Sequence, residues 1–127
     1  MKYIVESEKT LEQAAKDLET SVVKHKFGIM HIHDLQATLR SKGFDFTNGC
    51  KVFEVCNPQQ AYTVLEDDMG LNMALPCRIS IWEENGKTII GMLNSSAILS
   101  MLSTSEVLSQ VGKEVENITQ QIIDDGR

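Results

Sequence analysis

No apolar run in this chain of 127 residues approaches the roughly 18 residues that a membrane-spanning helix needs. Positive charge is scarce and scattered: 12 Lys and Arg stand against 18 Asp and Glu, a formal net charge of −6. A general nucleic-acid surface needs clustered cations to neutralise phosphates, and an anionic membrane surface needs the same. Neither partner is expected. The opening stretch MKYIVESEK alternates and turns acidic early, so it lacks the apolar core of a signal peptide, which predicts a cytoplasmic protein. Cysteine is limited to Cys50, Cys56 and Cys77, an odd count without a Cys-x-x-Cys pair or zinc-finger spacing. That excludes a disulfide framework and argues against structural zinc. There is no Gly-rich phosphate loop, no Ser-His-Asp order and no paired-carboxylate motif. No cofactor is expected, and the balance is against an enzyme.

What is present suffices for a core. With 42% apolar residues and no linker-like stretch, residues 1–127 read as one ordinary domain that needs neither disulfide nor metal for stability. KYIVES alternates as a first strand. Leu11, Ala14, Ala15, Leu18 and Val22 recur at helical spacing, predicting a helix over residues 8–25. FGIMHIHD reads as a second strand, and DLQATLRSKG as a short helix stopped by Gly43. CKVFEVC is a third strand, followed by a helix over NPQQAYTVLEDD. There Asn57 caps the free amides and Pro58 occupies the first position, where its missing N–H costs nothing. Tyr62 and Leu65 are expected in the core on that helix. CRISIWEENGKTIIGML is a hairpin turning at Asn85-Gly86.

A last helix is expected from Thr104 or Ser105, so that residues 104–127 form a C-terminal amphipathic helix. Its stripe of Leu108, Val111, Val115, Ile118 and Ile122 exceeds what a helix needs to lie on a small sheet. It predicts a second copy of the chain as readily as packing within one. The order βαβαβαββα predicts an α+β fold, a two-layer sandwich of about five strands with helices mainly on one face.

The stretches FGIMHIHDLQATLRSKG, FEVCNPQQAYTVL and MALPCRISIW, with the hairpin and GML after them, resemble the domain-of-unknown-function 302 family of bacteria and archaea. The likeness runs over about residues 3–102. It implies a compact α/β domain that tends to dimerise, and it implies no established enzymatic activity. The family's members often occur in bacteria with sulfur or redox metabolism. The family usually has a proline shortly after the last strand, where this chain reads MLNSSAIL, with Ser95 or Ser96 in its place.

Cys56 is the candidate catalytic residue. It ends a strand one residue before a helix cap, where the positive helix end favours a thiolate. That effect of about 0.3–1 kcal/mol lowers a thiol pKa by at most about 0.7, short of a mechanism without a cation beside it. Alternation puts Glu54 and Cys56 on one face of their strand, and Arg78 apart from Cys77 on the next. If the strands are neighbours and no bulge forms at Pro76, Arg78 meets Glu54 while Cys77 enters the core. His31 and His33 share a strand face about 6.5–7 Å apart and are candidate metal ligands if a third joins them. Three readings follow. The first is a dimeric binding or accessory module whose pocket uses Glu54, Cys56, Asn57, Pro58, Cys77 and Arg78, with a small anionic or thiol ligand. The second is redox or persulfide chemistry at Cys56. The third is soft-metal binding by Cys56 with His31, His33 or Cys77.

Overall fold

A computed structural model describes residues 1–127. The chain runs β1 (Lys2–Ser7), α1 (Leu11–Lys24), β2 (Gly28–Asp34), α2 (Leu35–Ser41), β3 (Cys50–Cys56) and α3 (Pro58–Asp67). A 3-10 segment (Met69–Ala74) follows, then β4 (Cys77–Glu84), β5 (Lys87–Leu93), α4 (Ser95–Leu102) and α5 (Glu106–Gly126). The strands form one sheet in the order β1-β5-β4-β3-β2, and every neighbouring pair is antiparallel. The fold is the α+β sandwich that the patterning predicts.

Local chemistry sets the boundaries. Thr10, Asp34, Asn57 and Ser105 each accept a hydrogen bond from a backbone N–H three residues on, the standard relief for a helix start. This explains Asp34 as a cap for α2. The β4–β5 turn holds Asn85 at φ 53° and Gly86 at φ 75°, the paired positive values of a type I′ turn.

Alternation decides the core. Phe53 and Val55 of β3, Ile79 and Ile81 of β4, and Ile90 of β5 are all solvent-free on the helical side of the sheet. They join Leu18 and Val22 of α1 and Leu108, Ile122 and Ile123 of α5 in one cluster. Burying each such side chain contributes about 1.5–3 kcal/mol.

Three expectations need correction. The chain forms a helix, α4, that the order βαβαβαββα leaves out. SSAILSML opens on serines, and its apolar residues follow no clear helical period. Tyr62 is 54% exposed and Leu65 half-buried, while Val64 is the core residue of α3. Two positions before Val64, Tyr62 lies about 200° around the helix and faces away. The α5 stripe is consumed within the chain, because α5 packs against α1, α3 and α4. Gly112 lets α4 approach closely: a Cβ there would sit 3.1 Å from Ser96 Cα. On the other side, the Ser21 hydroxyl donates to the Ile122 carbonyl at 2.7 Å. No helix is long and apolar enough to cross a membrane.

Candidate functional site

The ladders place the candidate residues by register. Glu54 stands opposite Arg78, and Val55 opposite Cys77, with no shift at Pro76. Arg78 therefore lies beside Glu54 on the open face, and Cys77 shares the core side with Ile79, packed against the core cluster. On the far side of β3, His31 stands opposite Glu54 and His33 opposite Val52. The two imidazoles meet edge to face with centroids 4.4 Å apart.

Glu54 is the centre of this polar group. Its Oε1 accepts from His33 Nε2 at 2.7 Å, and Arg78 Nη2 lies 3.9 Å away. The hydrogen bond from His33 holds the Glu54 carboxyl below the usual carboxylate range, with help from the charges of Arg78 and His31. The Glu54–Arg78 ion pair is one arm of that cluster, and His33 is the stronger arm.

Cys56 stands at the end of the ladder, opposite Gly28, beyond the histidines and Glu54. Burial pushes its thiol up, with no charged neighbour contributing. Desolvation therefore acts against the lowering expected from the helix start. Burial also pushes Cys77 up, and the nearby Cys56 adds to this. The Ser95 hydroxyl, 3.8 Å from Cys77 Sγ, acts the other way. Cys50, at the opposite end of β3, is raised by burial and by Asp34. No three His, Cys, Asp or Glu side chains converge in a metal-holding group.

The start of α3 is satisfied in part by its own turn. Asn57 Oδ1 accepts the Gln60 N–H at 3.1 Å, the Asn57 carbonyl accepts the Ala61 N–H at 3.0 Å, and Pro58 has none to offer. Ser95 and Ser96, one of which stands where the resemblance leads one to expect a proline, open α4, and the Ser95 hydroxyl lies 3.8 Å from Cys77 Sγ.

Around these residues lies a cavity of about 700 Å³. Val64, Leu99 and Val111 line it from the helical side, and Ile4, Trp82 and Gly91 from the open face. Cys56, Asn57, Cys77, Arg78 and Ser95 also line it, so it wraps the end of the sheet where β3 and β5 finish and β1 and β4 begin. Gly91 makes the open-face part possible, because a Cβ there would sit 3.1 Å from the Trp82 ring and 3.2 Å from Ile4 Cγ1.

Gln60 also lines the cavity, and its Oε1 is buried with no hydrogen-bond partner. The sequence reading passed over this residue. The available signal was its place three after the Asn57 cap, where a glutamine can reach back to the cap's N–H.

The matching family model, over residues 3–126, is described as a domain of unknown function, DUF302. An uncharacterised conserved DUF302 protein from Bacillus stearothermophilus, known from a crystal structure, superposes with a TM-score of 0.93. It is 28% identical, and the match covers 99% of this chain and 98% of that one. No curated protein matches the chain.

Proposed function

The chain belongs to the DUF302 family, and from that premise we propose that it is a homodimeric binding or accessory module with its small-molecule pocket at the Cys-Asn-Pro turn. The cavity carries this reading. It is mostly apolar, of a volume typical for ligand sites of about 300–1,000 Å³, and has a few polar groups around it. It lies where the turn, β4 and α4 meet. The dimer reading rests on the open sheet face. With the α5 stripe consumed, Ile4 and Leu93, each more than half exposed, and the neighbouring Trp82 offer the apolar surface for a second copy.

One observation favours thiol chemistry as the second reading: Cys56 and Cys77 line the same cavity. Burial works against it, since it keeps both thiols protonated at neutral pH. Soft-metal binding ranks below both, because His33 is already engaged by Glu54.

Backbone amide NMR with a mixture of small organic fragments tests the pocket. Shifts are expected to cluster at Cys56, Gln60, Leu99 and Val111, and to vanish when Ala61→Phe fills the space. Scattered shifts, or shifts indifferent to Ala61→Phe, would sink the reading.

A further inference from the structure

We infer that a second copy of the chain docks on the open face of β1, β5 and β4 about a two-fold axis that crosses the strands at Gly91. This symmetry pairs unlike charges and covers the open-face side of the cavity. The inference rests on the homodimer reading and names the surface, the axis and the contacts of that dimer.

The register makes this face a grid. Tyr3 and Val5 of β1, Ile90 and Met92 of β5, and Ile79 and Ile81 of β4 belong to or pack against the core. Their alternates therefore point to the open side. These fall in three rows across the strands. In the first, Lys2 stands opposite Leu93, and Arg78 lies one place beyond the Ile79–Met92 pair. In the second, Gly91 stands between Ile4 and Ser80. In the third, Ile89 stands between Glu6 and Trp82. One outer row is basic, the other is acidic and aromatic, and the row between them is uncharged.

A two-fold axis along the middle row lays each outer row on the other. Lys2 of each copy then faces Glu6 of the other, Leu93 faces Ile89, and Arg78 faces the Trp82 ring, a favoured partner for a guanidinium. A two-fold along the strands would instead set Lys2 against Arg78. Stacked sheets cross at about 30° with strands about 4.8 Å apart, so the rows slip by roughly 2.4 Å one strand from the centre and about 7 Å at β2. The larger slip is a full row. The match is therefore confined to β1, β5 and β4, and the histidines of β2 stay outside it.

The side chains are available for these contacts. Lys2 and Glu6 are exposed, and Arg78 is 67% exposed at its side chain, with Glu54 3.9 Å away. Lys87 approaches Glu6 at 3.4 Å within the chain, but both are exposed and such pairs hold weakly. Lys2, Ile4, Trp82, Gly91 and Leu93 also line the cavity. The surface that joins the copies is thus the surface that closes each cavity on this side.

Sedimentation equilibrium of the full chain tests the axis. Lys2→Glu and Glu6→Lys should each weaken the dimer about tenfold, because two like-charge contacts replace two pairs. The double variant, Lys2→Glu with Glu6→Lys, should return to within about threefold of the parent. Residues 2 and 6 of one strand lie about 13 Å apart, so that rescue acts between copies. If Glu6→Lys unfolds by repelling Lys87, Arg78→Ala and Trp82→Phe supply the second comparison: the two together should cost less than the sum of their separate losses. A dimeric parent whose double variants show only additive losses would overturn the inference and leave the homodimer standing. A parent that sediments as one chain would remove the homodimer and this inference with it.

Discussion

The two faces of the β3–β4 ladder differ at every alternate residue. On the helical face Phe53, Val55, Ile79 and Ile81 have no solvent contact. On the open face Glu54 and Arg78 pair between exposed and half-buried neighbours, and His33 reaches in from β2. One set of backbone hydrogen bonds supports both faces, so the strands themselves are equally well ordered on each. The difference lies in what each face excludes. The helical face excludes water, and its side chains are interchangeable only by volume. The open face keeps charges and rings in mixed surroundings, where identity matters more than size. The cavity sits where the two faces meet, at the end of the sheet, and borrows an apolar wall from one and a polar rim from the other.

The largest expected effect lies on the closed face. Phe53→Ala should destabilise the protein by about 3–5 kcal/mol, a large share of the roughly 5–15 kcal/mol typical of a domain. Val52→Ala, the next residue and on the open face, should cost well under half as much. Urea unfolding of both variants checks this. Equal losses would mean that the open face is packed against something, and the contrast between the faces would fail.

That contrast was readable from period-two alternation, which also put Glu54 and Arg78 on one face and Cys77 on the other if β3 and β4 are neighbours. Strand order itself was not readable, because alternation fixes faces and not partners, and the β3–β4 ladder supplies that condition. Other features were not readable, for identifiable reasons. Helix α4 has a serine-rich start and no clear apolar period. Tyr62 is aromatic and sits on a mostly polar helix, so composition suggested burial where geometry did not supply it. The direction of the Cys56 shift depends on burial in the assembled fold, while the helix start that argued the other way is local. The unpaired Gln60 Oε1 is a fact about side-chain direction, which a spacing rule does not contain.

An intermediate effect concerns the open face as a dimer surface. Light scattering of the parent chain at micromolar concentration should give the mass of two 14.2 kDa chains. Ile4→Glu should give the mass of one while leaving the fold intact by circular dichroism, since Ile4 is 52% exposed within the single chain. A parent protein with the mass of one chain would refute the homodimer. A dimer indifferent to Ile4→Glu would move the interface off this face.

The smallest effects separate the faces by pH. Cys77, on the closed face, has its thiol pKa raised by burial. As pH rises past the ordinary thiol value of about 8.5, the unfolded chain releases that proton first. Its contribution is therefore complete below that value and is lost as pH climbs through the folded-state pKa. Glu54, on the open face, has its pKa lowered chiefly by the bond from His33. Its contribution is present above the ordinary carboxylate value of about 4.3 and is lost as pH falls. Urea midpoints measured from about pH 3 to about pH 10 should decline at both ends. Cys77→Ala should flatten the alkaline decline and leave the acid one, although Cys50 and Cys56, also raised by burial, keep part of the slope. Glu54→Gln should do the reverse, with Asp17, lowered by its bond from Lys9, preserving part of the acid slope. If Cys77→Ala leaves the alkaline slope unchanged, the thiol is wetter than its place beside the core cluster allows. The division of labour between the two faces would then not extend to the strand end where the cavity lies.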